Sequence, residues 1–419
     1  MTLAQGRGES SEAKPLGQPR GFFSSLQYPG SMVLWLSHIT ASSQFWMEMI
    51  ARPWLVYQMT DSVLLLGVVQ AVRGLPVLVF SGLGGLLADR MDRRKLYLVV
   101  RTGNSGAIVL LAVLLVTGHL EVWHVFALTA AEGIFNAAEF PIRQSLIPAV
   151  VPESALMNAI ALHSVGRQLT HLVAPSIAGV LIAAVGIGGT YVVQSVVAIA
   201  AAAMTVLLRV PSGSQSAARE SIAQNVIGAL RYLRGRDVIL TLLVLSLAQR
   251  FCTGSSQTLF PAFARDIHQV GEVGFGLLNS AIGAGAFLGA LGIAVMGSVQ
   301  RKGAVLLVGA VLQAVGLILF AYSPSFAMAL VLTGLVGIVQ TAYFTMNSAL
   351  LLGRVSEEYR GRVLSIYDMD RGIAPLGAVT LGWLAEVAGA PAAVALLAAP
   401  MIPITLMVLW RVPRFRDAE

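Results

Sequence analysis

Polar residues punctuate this chain between apolar stretches of about 20 residues, the length a helix needs to cross a hydrocarbon layer. Such stretches fall at 32–58, 63–88, 96–117, 121–141, 158–186, 188–208, 238–260, 274–297, 303–322, 326–350, 363–388 and 391–411. They predict twelve transmembrane helices and hence an all-α membrane protein. Residues 1–30, rich in Gly, Ser and charge, read as a disordered tail, because they lack the apolar core of a signal peptide. The longest polar interior segment, 211–237, splits the helices into six and six, over 31–210 and 238–412, and 413–419 forms a second tail.

Composition agrees with this pattern. Hydrophobic residues make up 56% of the chain and charged ones 12%, too little polar surface to clothe a soluble protein of 419 residues. With both termini placed in the cytoplasm, 22 of the 28 Lys and Arg residues fall on cytoplasmic segments, and only Arg265 falls on the opposite side. Arg52, Arg73, Arg167, Arg250 and Arg371 lie within spans. This bias orients a multi-pass protein in a cell or inner membrane. The net charge of +7 therefore serves the inner lipid surface rather than nucleic acid. A single cysteine, Cys252, excludes a disulfide framework within the chain. No Gly-Lys-Ser/Thr phosphate loop, histidine-rich ligand cluster or Gly-x-Ser-x-Gly elbow is present, so neither an enzyme, a metal site nor a cofactor is expected.

The halves echo each other. Val173-Ala174-Pro175-Ser176 matches Ile373-Ala374-Pro375-Leu376, and Gly85…Arg93-Arg94-Lys95 matches Gly292…Gln300-Arg301-Lys302, at nearly the same offset. A duplicated unit predicts two pseudo-symmetric six-helix bundles that rock around a central site.

Charges inside membrane helices are costly and face partners or water. Glu48 lies on the stripe Gln44-Glu48-Arg52, while Glu132, Asn136 and Glu139 share a face that continues to Arg143. Glu48 or Glu132 reads as a carboxylate that loads and releases a proton; an ion pair of Glu48 with Arg52 within the helix is the structural alternative. Arg73 is suited to neutralise either acid or to hold an anionic substrate. Helix five carries His163, Arg167, Thr170 and His171 on one face. In the second half, Arg250 and Gln257 on helix seven and Gln340 and Tyr343 on helix ten are expected to face the cavity. Asp368, Asp370 and Arg371 are assigned to a cytoplasmic gate.

The segment Gly84 to Lys95 resembles the helix 2–3 loop of the major facilitator superfamily. Gly85, Asp89, Arg90, Arg93 and Arg94 fit its motif, whereas Asp92 stands where glycine is usual. Ala51-Arg52-Pro53-Trp54, Val151-Pro152-Glu153, Leu156-Met157-Asn158-Ala159 and Arg360-Gly361-Arg362-Val363-Leu364-Ser365 are similar to the enterobactin-exporter and macrolide-efflux branch. The resemblance implies a secondary active transporter that exports a drug, macrolide or siderophore-like compound, driven by the proton gradient. A monomer is expected, with a small molecule, protons and membrane lipid as its partners. Ala174, Pro175 and Gly179 resemble the helix-five signature of drug antiporters, with alanines where glycines are usual. In the loop, Asp89 is expected to latch onto the start of helix eleven, and Arg93 to reach Glu139. A facilitator or importer without proton coupling and a transport-inactive sensor both stay open.

Overall fold

The computed structural model describes residues 21–90, 92–209, 232–233, 236–296, 301–356, 359, 363, 367 and 373–411, the side chains of 77–90 excepted. The described chain is helical: α1 Pro29–Thr60, α2 Val63–Arg90, α3 Arg93–Val116, α4 Val122–Val150 and α5 Glu153–Val206, then α6 Asp237–Ile267, α7 Gly271–Met296, α8 Lys302–Ala321, α9 Phe326–Arg354, α10 Ala374–Ala388 and α11 Ala390–Arg411. Seven of these are long and apolar enough to cross a membrane.

Most boundaries fall within a few residues of the hydrophobic pattern, and the departures have local causes. The stretches predicted at 158–186 and 188–208 follow one another without a linker as the two helical arms of α5, parted at Gly186, whose φ 72° and ψ 172° are non-helical and open only to glycine. Helix α4 runs on to Val150 through Pro141 and Pro148, because neighbouring helices in a membrane bundle tolerate the backbone groups that proline frees. Helix α6 is interrupted: α-helical turns end at Cys252, a 3₁₀ turn spans Ser256–Leu259, and a π turn over Phe263–Ile267 closes it.

The tail expected through residue 30 is structured from residue 21 on. A 3₁₀ turn at Ser24–Gln27 docks on the start of α5, where Ser25 N–H donates to Asn158 Oδ1 at 3.0 Å and Asn158 Nδ2 donates to the Phe22 carbonyl at 3.0 Å. Residues 1–20, most of the 211–237 linker and 413–419 lie outside the described residues.

Helices α1–α5 form one half, in which α1 and α3 pack on α5, and α2 and α3 on α4. In the other half α7 and α8 pack on α9, and α8 and α10 on α11. The halves meet along two lines, α2 with α10 and the first arm of α5 with α7. Glycines set the closeness of the second line. A Cβ added to Gly179 would lie 2.6 Å from the Glu272 carbonyl oxygen, and one added to Gly276 would lie 2.6 Å from that of Pro175. Ser176 Oγ donates to Ser280 Oγ at 2.7 Å across the same contact. On the first line, Gly74 leaves room for the ring of Pro375.

The two ends of the bundle differ. Near the turns at Asp61 and His268, one apolar core joins Trp54 and Leu55 of α1 and Ile182 of α5 to Phe260 and Phe263 of α6 and Phe275 of α7. This turn end is also clamped by charge: Arg265 Nη2 reaches Asp61 Oδ1 at 2.6 Å, the Tyr57 hydroxyl donates to the Asp266 carboxylate, and Leu64 N–H donates to Glu386 Oε2 at 3.3 Å. The opposite, basic end carries Arg93–Lys95, Arg301, Arg354 and Arg411. There the apolar clusters are separate, one around Leu96, Leu146 and Ala155 and another around Leu306, Leu350 and Met401, and among the described residues no apolar core joins them.

Candidate functional site

The site grows from one guanidinium. Helical spacing of four puts Glu48 and Arg52 on one face of α1, and that face turns toward α4. Arg52 Nη2 lies 2.5 Å from Glu48 Oε1 and 2.6 Å from Glu132 Oε1, while Nη1 donates to Thr129 Oγ1 at 2.8 Å. The Tyr191 hydroxyl, from the second arm of α5, donates to Glu48 Oε1 at 3.2 Å. On the cavity side Arg73 Nη2 approaches Glu132 Oε2 at 3.8 Å, and its guanidinium lies 5.3 Å from the centre of the Phe45 ring. Glu48, Arg52 and Glu132 are all at most 2% exposed. Two carboxylates and two guanidiniums thus neutralise one another, as burial in a low-dielectric interior demands.

The intrahelical Glu48–Arg52 pair, the structural alternative read from the sequence, is present, and Glu132 joins it to α4. Burial then separates the two acids. Glu132 lines a cavity of about 250 Å³ in the first half, whereas Glu48 sits behind Arg52 and does not. The cavity wall includes Phe45 and Trp46 of α1, Arg101 and Asn104 of α3, Asn136, Glu139 and Arg143 of α4, and Arg167 of α5. Trp46 stacks on His171 with ring centres 3.7 Å apart.

A second ion pair lies nearer the basic end. Glu139 pairs not with Arg93, the partner expected from the sequence, but with Arg101, at 3.1 Å, and Arg101 also donates to the Tyr97 hydroxyl at 2.6 Å. Arg93 Nη1 instead donates to the Ser145 carbonyl at 3.4 Å. The reason is axial distance. Arg93 opens α3, and eight residues at ~1.5 Å each place Arg101 about 12 Å further along it, level with Glu139. Asn104 Nδ2 donates to Asn136 Oδ1 at 3.3 Å beside this pair.

Asp92, the departure from the glycine of the loop motif, caps α3. Its Oδ1 accepts from the N–H groups of Arg94 at 2.9 Å and Lys95 at 3.1 Å, satisfying amides that a helix start leaves free. The side chains of Gly85, Asp89 and Arg90, and the residues Asp368, Asp370 and Arg371, lie outside the described residues.

The second-half candidates do not join the cavity. Tyr343, expected to face substrate, is fully buried in the apolar cluster with Leu306 and Leu350. The rotation of α9 that seats Leu350 and Leu351 in that core carries Tyr343 in with them. Arg250 lies 4.0 Å from the Phe344 ring centre. Gln257 falls in the 3₁₀ turn of α6 and is half-buried, as is Gln340 on α9. The helix-five residues Ala174, Pro175 and Gly179 lie at the contact with α7, where Ala174 is 3% exposed.

Residue-pattern reasoning missed Thr129, Tyr191, His38 and the role of Arg101. Tyr191 stood among the polar residues Thr190, Gln194 and Ser195 of its span with nothing to single it out, whereas Arg101 was visible as a partner of Tyr97 four residues earlier. A description of transmembrane secretion effectors within the major facilitator superfamily matches residues 21–419.

The chain belongs to this family.

This member is therefore a multi-pass membrane transporter and not an enzyme. It is 25% identical over 398 residues to the multidrug efflux pump Tap of Mycolicibacterium fortuitum, covering 93% of this chain and 97% of that one. It is 24% identical over 384 residues to a staphyloferrin A transporter of Staphylococcus aureus, covering 86% and 91%. Among solved structures, the nucleoside transporter NupG superposes with a TM-score of 0.72 at 13% identity, covering 92% of this chain and 99% of that chain. A bacterial homologue of the lysosomal transporter Spinster, inward-facing and unoccupied, gives 0.66 at 17% identity, covering 95% and 97%. These structural likenesses speak for the shared fold.

Proposed function

We propose that this transporter exports a small amphipathic organic compound across the cell membrane, driven by inward flow of protons. In this reading the chain crosses the membrane twelve times, with the two arms of α5 counted separately, and both termini face the cytoplasm. The basic end is then the inner end and the turn end the outer one.

The observation that carries the proposal is the placement of Glu132. It is the one acid of the Glu48–Arg52–Glu132–Arg73 cluster that both faces the cavity and shares a guanidinium with another carboxylate. A proton arriving from the cavity neutralises Glu132 and removes its attraction to Arg73, while Arg52 keeps Glu48 as its partner. Arg73 immediately precedes Gly74, the residue of α2 packed on Pro375 of the opposite half. Protonation at Glu132 thus bears directly on a contact between the halves. The energetic scale is adequate, since pairs of buried charges are worth several kcal/mol in either direction. The relatives named as multidrug efflux and staphyloferrin A transporters support export of an organic solute.

The experiment is an efflux panel of antibiotics, dyes and siderophores in cells lacking or overexpressing the protein, with and without a proton ionophore. Export that collapses with the ionophore is expected. Flux of the same compounds that ignores the ionophore would favour an uncoupled facilitator.

A further inference from the structure

The cavity holds more positive charge than its own pairings use. Arg73, Arg101 and Arg143 line it against Glu132 and Glu139. Glu132 is committed to Arg52 and Arg73, and Glu139 to Arg101. Arg143 is 7% exposed and lies 5.6 Å from the Phe140 ring centre, yet among the described residues it forms no ion pair and its Nε has no hydrogen-bond partner. Next to it stands a second group of unmet donors. His38 lines the same cavity at 5% exposure with neither ring nitrogen hydrogen-bonded, and the His163 ring lies 5.1 Å from it with Nδ1 likewise unmet.

Buried polar atoms without partners are rare in folded proteins, because each costs on the order of 1–3 kcal/mol. Here they converge around a buried cation, and a water molecule would satisfy a donor without balancing that charge. From this geometry we infer that the Arg143–His38–His163 corner binds the carboxylate, or a comparable oxyanion, of the exported compound. The apolar part of that compound lies against Phe45 and Trp46. The inference rests on the reading of this cavity as the carrier's substrate site and narrows it to anionic amphipaths. Arg143 supplies the charge, and the imidazoles supply N–H donors.

The test uses a matched pair, 2-naphthoate and 2-naphthamide, titrated calorimetrically into the purified full-length protein. Wild type binds the carboxylate about tenfold more tightly than the amide, the scale of a charge-assisted hydrogen bond. Arg143→Gln erases this preference while Arg143→Lys keeps part of it, and His38→Leu, which removes the ring's N–H donor, weakens the carboxylate by about threefold. Equal affinities in wild type, no binding of the carboxylate, or a preference that survives Arg143→Gln overturns the inference. Should Arg143→Gln fail to fold, the wild-type preference and His38→Leu decide it. Proteoliposome flux keeps the two readings apart: transport of organic compounds without carboxylate preference refutes the anion corner alone. Absence of flux for every compound in the efflux panel refutes the carrier reading.

Discussion

The two halves share an architecture but place unlike chemistry at the same depth. In the first half, buried polarity is ionic: Arg52 is shared by Glu48 and Glu132, and Arg101 holds Glu139. Among the described residues of the second half, buried polarity is uncharged and carried by hydroxyls and amides. Gln249 Nε2 donates to Gln313 Oε1 at 2.5 Å with both side chains at most 1% exposed, and Asn347 Nδ2 donates to the Leu242 carbonyl at 3.3 Å. Among the described residues every buried ion pair lies in the first half. Duplication supplies the frame, and the difference teaches that symmetry of helices need not extend to chemistry. Amides fix helices against each other at any pH, whereas carboxylates can exchange protons with a cavity.

The comparison breaks first at Arg52. Arg52→Met strands Glu48 as an uncompensated buried acid and leaves Glu132 with Arg73 alone, and removing one partner from a buried pair costs about 3–5 kcal/mol. A marked fall in the thermal midpoint of the detergent-solubilised protein is expected; an unchanged midpoint would show that the cluster contributes little. The amide pair answers differently. Gln249→Leu alone leaves Gln313 unmet and costs about 1–3 kcal/mol, whereas Gln249→Leu with Gln313→Leu returns close to wild-type stability, because two apolar groups need no partner. A double variant no more stable than the single one would deny the amides that interchangeable role. The smallest effect sets the floor of the scale. Asp92→Ala removes the α3 cap, costs about 1 kcal/mol, and leaves the driven flux unaltered, measured by thermal shift and efflux together.

How far the sequence reaches follows from the same residues. Helix positions were legible because apolar length alone dictates them, and Glu48, Arg73, Glu132 and Glu139 stood out as charges in apolar stretches. Their partners were legible only within one helix. Glu48 with Arg52 is a spacing of four, but Arg52 with Glu132, Tyr191 with Glu48, and Arg101 with Glu139 depend on how helices rotate and slide against each other. The same limit explains Tyr343, a polar stripe member that the rotation of α9 turns into the apolar core. Asp92 looked like an irregular motif residue until the start of α3 at Arg93 made it a cap. The break at Gly186 was legible as a turn between two spans, and the non-helical backbone at that glycine parts the two arms of α5 there.

On the proposed reading, Glu132 couples protons to movement while the second half serves as scaffold. The most direct measurement is accumulation of an exported compound in proteoliposomes under an imposed pH gradient, with substrate exchange without a gradient recorded in parallel. Glu132→Gln is expected to exchange substrate but to lose at least about tenfold in the initial rate of gradient-driven accumulation, a barrier change of ~1.4 kcal/mol. The Gln249→Leu, Gln313→Leu double variant keeps both activities. Wild-type accumulation by Glu132→Gln would contradict it.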